Sequence, residues 1–286
     1  MNQRELEYTY SKRHLMDVLS EDIQISWVSE IVYAIESYRN KHYSYDSKNK
    51  RISKLGDSLD LAVTIILNIL KCNGKMTTIQ QIATSVANEI DDDLVSSVMT
   101  AAELLAVCED GSVFVLVSHD YPDNPFGTLA VRPRIKPSEE VLVKIDQYMY
   151  VPPSVELPQW LNNWCGGLQT VKDSVVLGKQ NTHSEYQALD ALNILQRIEW
   201  ELDDYMLLCP EEPNKPLDTP EKFKQFTVFK KASRAVYDLY KDKRFYFIWK
   251  FDKRGRMYSN GYHINLQSTD YKKSILNFAH KEIISL

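Results

Sequence analysis

The 286-residue chain is 44% hydrophobic and 26% charged, enough for one large or two modest packed domains, so it reads as soluble and globular. Its longest strongly apolar run, Leu61 to Leu70, is about half the roughly 20 residues of a membrane span. The charged start Met1-Asn2-Gln3-Arg4-Glu5-Leu6-Glu7 has no apolar core behind it, so no membrane span, secretory signal or transit peptide is expected. The net charge of −5 would argue against a nucleic-acid partner, but from Lys222 to Arg256 twelve Lys and Arg stand against three Asp. That net +9 leaves −14 for the rest of the chain.

In chain order, Ile25, Val28, Ile31, Val32, Ile35 and Tyr38 form a helical stripe within Ile23 to Tyr38, and Asn40 to Lys54 reads as polar loop. Leu59 to Leu70 reads as a buried helix stopped by Asn73-Gly74. Thr77 to Ile90 is a second helix that Thr77 or Thr78 can cap, and a third begins at Asp91 to Asp93 and runs to about Val107. After the turn signal Glu109-Asp110-Gly111-Ser112, Val113 to Val117 is a strand that Leu129 to Ile135 can pair, with Tyr121 to Gly127 as a long hairpin loop. Helices followed by a hairpin are also the order of a winged helix, so that reading stays open.

Tyr150 to Gly178 is poorly periodic and marks a boundary. Ser184 to Leu208 then reads as one long helix with Tyr186, Leu189, Leu192, Leu195, Ile198, Leu202 and Tyr205 on a stripe. The run Glu211-Glu212-Pro213-Asn214-Lys215-Pro216 ends it. A second long helix runs from Pro220 or Glu221, capped by Thr219, to about Lys243, completing a helical hairpin. Phe245 to Trp249 is a strand leading into Asp252-Lys253-Arg254-Gly255-Arg256, and Tyr271 to Phe278 is an amphipathic helix with Ile275, Phe278 and Ala279 exposed. The expected fold is therefore α+β, mainly α: a helical domain with a β-hairpin over 1–149, a linker over 150–183, the helical hairpin over 184–244 and a strand-turn-helix over 245–286.

Cys72, Cys108, Cys165 and Cys209 are far apart, with no Cys-x-x-Cys and no nearby histidine pair, so they are expected to be reduced thiols with neither zinc nor disulfides. The informative stretch begins at Phe245. A glycine between Arg254 and Arg256 lets the backbone approach a ligand, and the two guanidinium groups can fork onto phosphate oxygens. An ordinary basic turn is the plainer alternative.

The order of features around that turn resembles the single-subunit DNA-directed RNA polymerases of phages and mitochondria. The family's Asp-x-Arg-Gly-Arg-apolar-Tyr motif is matched by Asp252-Lys253-Arg254-Gly255-Arg256-Met257-Tyr258. Tyr262 to Asp270 resembles the loop that follows it, and Ser274-Ile275-Leu276-Asn277-Phe278-Ala279 resembles the family's Leu-Leu-x-Phe-Ala helix. Upstream, Glu212 to Pro216 with Phe229 to Tyr237 is similar to the thumb region. Ala191 to Gln196 with Trp200 resembles the preceding thumb helix, and Val151-Pro152-Pro153 with Gly166-Gly167 the linker before it. The matches are collinear over roughly 150 to 284; the thumb is short between Asp238 and Arg244, and residues 1–149 match nothing.

The resemblance implies that Arg254, Gly255, Arg256 and Tyr258 hold template and RNA–DNA hybrid, with Asp252 pairing an arginine to fix the turn. Lys230, Lys231, Arg234, Lys241, Lys243 and Arg244 become thumb contacts to the RNA backbone, or else a solvated helix face. The family's metal-binding aspartates, nucleotide-binding Arg and Lys, and His-Asp turn all follow the motif, whereas thirty residues follow Arg256 here. Asp110-Gly111-Ser112 and His119-Asp120 resemble catalytic motifs only superficially. The chain is thus expected to carry no catalytic or metal residue, and its Met1 start and Leu286 end fit a natural subunit. Split heterodimeric members occur in enquatro-type coliphages. The implied partners are a larger subunit with palm and fingers, which holds Mg2+, together with DNA template, RNA transcript and nucleoside triphosphates, in the cytoplasm of an infected bacterium. The rivals are a winged-helix DNA-binding regulator, whose third helix has no Lys or Arg, and an acidic adaptor, which leaves the basic segment unexplained.

Overall fold

A computed structural model describes residues 1–19, 24–90, 93–109, 112–121, 124–178, 183 and 188–281, with backbone only at 94, 119–121 and 124–128. The fold is mixed α+β with small antiparallel sheets. The chain divides into two compact units, residues 16–145 and residues 1–15 with 146–286. Among the described residues no helix is long and apolar enough to cross a membrane.

The chain opens with α1 (Gln3–Thr9), started by a capping box in which Asn2 accepts from the Glu5 N–H and Glu5 from the Asn2 N–H. The buried Glu7 on α1 accepts from the N–H groups of Gln169 and Thr170, the Thr170 hydroxyl and the Gln3 amide, tying this helix to the later part of its unit. Burial pushes the Glu7 carboxyl up, but these bonds outweigh it and hold it below its usual range. α2 (Lys12–Val18) follows.

In the unit of residues 16–145, α3 (Ile25–Asn40) buries Ile31, Ile35 and Tyr38, while Ile25 stays exposed. The stretch expected as loop contains a helix, α4 (Asp46–Ile52), of which only Ile52 is buried. No apolar stripe announces it, because ion pairs hold it: Lys48 and Arg51 both reach Glu103, at 2.9 Å each, and Arg51 also donates to Thr100. The Tyr38 hydroxyl donates to the same carboxylate. Against the upward push of burial, these partners hold Glu103 down at about 2.

α5 (Ser58–Lys71) is capped by Asp57 and is buried over most of its length. It stops where Asn73 and Gly74 take positive φ, at 49° and 77°. β1 (Thr77–Thr78) leads straight into α6 (Ile79–Ala87), capped by Thr78 in a capping box with Gln81, and α7 (Leu94–Val107) is capped by Asp93. β2 (Phe114–Tyr121) and β3 (Asn124–Pro133) form the hairpin. Both strands run through most of the expected loop, pairing as far as Tyr121 with Asn124; residues 122 and 123 lie outside the described residues. β1 adds to the far side of β3, giving the order β1-β3-β2. Helix, strand, two helices and hairpin, α5 to β3, is the connectivity of a winged helix.

α8 (Glu139–Tyr148) leads into the other unit. There the long helix expected over Ser184–Leu208 is three elements, α9 (Leu189–Gln196), β4 (Glu199–Leu202) and α10 (Asp204–Leu208), with residues 184–187 outside those described. The helical hairpin of 184–244 is therefore not formed. α11 (Pro220–Tyr240) is as expected, with Thr219 capping and Pro220 at the first position, though it ends before Lys243. β5 (Phe245–Tyr246), β6 (Ile248–Phe251), β7 (Met257–Asn260), α12 (Asp270–Ser274) and β8 (Leu276–Phe278) complete the chain. β4 lies between β5 and β8, and β6 pairs β7. Most of the amphipathic helix expected over Tyr271–Phe278 is thus a short helix and a strand, and Ile275 is fully buried. The core of this unit is aromatic, joining Trp160, Trp200, Tyr237, Tyr240, Phe245, Phe247, Trp249 and Phe251 to Ile275 and Leu276.

Candidate nucleic-acid interface

The turn of the β6–β7 hairpin carries Asp252 to Arg256. β6 is buried at every position, bonded on one edge to β7 and on the other to residues 175–177 through Phe251 N–H to Val175 O and Leu177 N–H to Phe251 O. The turn thus projects from a rigid base. It closes with Asp252 N–H to Arg256 O at 2.8 Å and Gly255 N–H to Asp252 O at 3.0 Å.

The Asp252 carboxylate organises everything above that base. One oxygen accepts the N–H groups of Arg254 (2.8 Å) and Arg256 (2.9 Å), and the other accepts both Nε and an Nη of Arg256 at 2.7 Å. The Arg256 N–H, and then its guanidinium, hold the carboxyl below its usual range. Arg254 is 75% exposed and Arg256 54%, with the Arg256 guanidinium 5.5 Å from the Tyr258 ring centre. Asp252 therefore pairs an arginine and fixes the turn, leaving the net charge of Asp252 to Arg256 at +2.

Gly255 has φ +78°, and an added Cβ meets nothing within 4 Å. It supplies the left-handed conformation rather than room for a close approach. Close approaches are made by other glycines, among them Gly166, where a Cβ would sit 1.8 Å from Gln159 O, and Gly261, where it would sit 2.2 Å from Ile264 O.

The six thumb candidates fall into two groups. Lys230, Lys231 and Arg234 on α11 line a groove of about 290 Å³ with Glu211, Tyr237 and Tyr271. Arg234 is held there by Leu207 O at 2.9 Å and by Asp238 at 3.2 Å. Lys241, Lys243 and Arg244 lie past the end of α11, whose last residue, Tyr240, is about 14 Å along the helix axis from Lys231 at 1.5 Å per residue. There Arg244 pairs with Glu199 at 2.9 Å, and Lys243 and Arg244 share a cleft with Glu201, Asp204 and Asp242. Lys250, also counted in the basic segment, is buried against Asp173. The +9 segment is thus not one cationic face.

Behind the groove lies a polar cluster that sequence reasoning missed. His263, 3% exposed, bonds the Ser233 hydroxyl through Nδ1 and Asp146 O through Nε2, both at 2.9 Å. Burial lowers it to about 4. Lys272, 4% exposed, donates to Tyr262 O and lies 4.5 Å from the Phe229 ring centre, and burial lowers it to about 8. Burial raises Glu211, opposed by Lys272 and Lys230. These residues come from positions more than 100 apart, so no local pattern signals them.

Among the described residues no group of three or more His, Cys, Asp or Glu is placed to hold a metal ion. Asp110, Gly111 and the side chains of His119 and Asp120 lie outside the described residues. No protein-family model matches the sequence, and no curated protein is significantly similar to it.

Proposed function

We propose that the chain is the non-catalytic subunit of a split, phage-type DNA-directed RNA polymerase. It grips template and RNA–DNA hybrid while a larger partner supplies palm, fingers, Mg2+ and the nucleoside triphosphate site, in the cytoplasm of an infected bacterium. The observation that carries this reading is the Asp252–Arg256 turn. Two exposed guanidinium groups stand on a rigid hairpin, oriented by a carboxylate that spends its acceptors on the turn itself. Asp252 takes Nε and one Nη of Arg256, so Arg256 would meet phosphate through its outer Nη donors, while Arg254, 3.8 Å from the same carboxylate, keeps the planar fork that matches phosphate oxygens. The turn occurs within the motif Asp252 to Tyr258 that resembles the family's. In this reading α11 is the thumb helix, with Lys230, Lys231 and Arg234 toward RNA, and β6–β7 begins the palm.

The test is co-purification of the tagged chain from cells that also express the other genes of its source. A larger polypeptide should come down in equimolar amount, and RNA synthesis should require both. Synthesis by the chain alone, free of contaminants, or the absence of such a polypeptide refutes the proposal.

A second reading, a winged-helix DNA-binding regulator, gains the connectivity of α5 to β3. Its groove-reading helix would be α7, which has no Lys or Arg, and phosphate contact needs both charge and donors.

A further inference from the structure

In a winged helix the second helix of the helix-turn-helix enters the major groove, and here that helix is α7. Two independent features make it wrong for DNA. From Met76 to Val131, which spans α6, α7 and nearly all of the hairpin, there are nine Asp and Glu and no Lys or Arg. Glu103 is turned inward to Lys48 and Arg51, but the segment remains strongly acidic. A duplex carries one negative charge per about 1.7 Å of axis, so a segment of this charge repels it.

The second feature is the outward face of α7. Ser97, Thr100, Ala101, Leu104 and Leu105 are buried. On the other side Val95 (73% exposed) and Met99 (54%) are followed by the half-buried Ala102 and the exposed Ala106. Spacings of four, three and four place them on one stripe, about 17 Å long at 1.5 Å per residue. Exposed Asp93 and Glu109 stand at the two ends of this helix, and an apolar helical stripe flanked by carboxylates matches a segment with apolar anchors and flanking cations.

We propose that the outward face of α7 docks a cationic amphipathic helix of another protein. Its apolar side seats on Val95, Met99, Ala102 and Ala106, and its Lys and Arg face Asp93 and Glu109 at the two ends. An anionic lipid surface is repelled as DNA is. Among the described residues the most cationic helix, α11, keeps Val228, Ala232 and Val236 buried in its own fold and exposes Phe223 alone of its large apolar residues, so a second copy of this chain does not present a matching stripe. The inference does not rest on the polymerase reading, since it uses no residue of the β6–β7 turn.

The test uses the full chain and a labelled short peptide of Leu and Lys, with leucines at helical spacing. Controls are a scrambled peptide of the same composition and a DNA duplex. Met99→Lys should weaken binding of the helical peptide at least about tenfold. Val171→Lys, an identical charge change at an exposed apolar residue of the other unit, should change it less than about twofold. Both side chains are exposed, and matching thermal melts establish that the variants fold. Equal weakening by the two variants, or equal binding of the scrambled peptide, overturns the proposal by showing general charge attraction. A duplex that displaces the peptide from a photocrosslinker placed at position 99 overturns it in favour of nucleic acid.

Discussion

Asp252 serves a cationic turn without needing to touch a ligand: its acceptors take two backbone N–H groups and one guanidinium, which sets where the Arg256 fork points. That role was readable in the sequence because repulsion from phosphate left an arginine as its natural partner. The role of Gly255 was only half readable, since φ +78° in open space shows a demand of conformation and not of proximity. His263 was not readable at all. It can be tested through pH. Its folded value of about 4 lies below its ordinary 6.5, so as pH falls the unfolded chain takes up the proton first. Stability from this group is therefore level above about pH 6.5 and is lost between 6.5 and 4, by roughly 3 kcal/mol in all. Glu211, raised by burial, works in the opposite direction but equally in wild type and variant. Lys272 titrates near 8, outside this window. We expect the urea midpoint of the unit containing His263 to fall between pH 6.5 and 4.5 in the wild type and to fall much less in His263→Gln. Parallel pH profiles would mean that the ring is not held neutral by burial.

At the scale of elements, β8 offers the sharpest test. Ile275 is fully buried in the aromatic core and Leu276 pairs with Leu202 of β4. Ile275→Ala should cost about 2–5 kcal/mol, read from urea unfolding of the full chain. A cost below about 1 kcal/mol would place Ile275 on an adaptable surface, as its expected position on an exposed helical stripe implied. The expectation of one helix over Ser184–Leu208 failed for a physical reason. In a short apolar run helical and strand spacings overlap, and Ile198, Trp200 and Leu202 fit the alternation of a strand as well as the stripe that Leu195 and Ile198 suggested. Cross-strand pairing to β5 and β8, elements over 40 residues away, decides between them. α5, α6, α7 and α11 were legible because their stops and caps are local: Asn73-Gly74, Thr78, Asp93 and Thr219-Pro220. α4 was not, because its ion pairs to Glu103 come from a helix some fifty residues later. The candidate site divides the same way: the hairpin turn is a local motif, whereas the groove draws Glu211 and Tyr271 to α11 from either side in sequence.

Across the whole molecule, charge is sorted and not merely summed. A −5 chain holds one segment at +9 and another, Met76 to Val131, at −9. The basic segment spends part of its charge internally, with Lys250 buried against Asp173, Arg244 on Glu199 and Arg234 shared with Asp238. Counting all twelve cations would therefore overstate how many counterions a bound nucleic acid releases. Arg254 and Arg256 share a single carboxylate, Asp252, and with Lys253 leave the turn at +2, so this exposed pair should dominate instead. Replacing both by Ala, in the subunit assembled with its partner, should flatten the log-log salt dependence of RNA–DNA hybrid binding by about 1.4–1.8 units, at roughly 0.7–0.9 per phosphate. Affinity at low salt should drop by roughly ten- to a hundredfold for each arginine–phosphate bond removed. Arg256→Lys separates charge from geometry, since a lysine keeps the counterion effect but loses the fork that Asp252 aligns; the slope should hold while affinity falls. Lys243→Ala, in the cleft with Glu201 and Asp204, should leave the slope unchanged. The measurement is hybrid dissociation from the assembled pair across a salt series. If the double alanine variant binds with the wild-type slope, the β6–β7 turn does not hold phosphate, and Asp252 to Arg256 is a structural turn whose cations serve solvent.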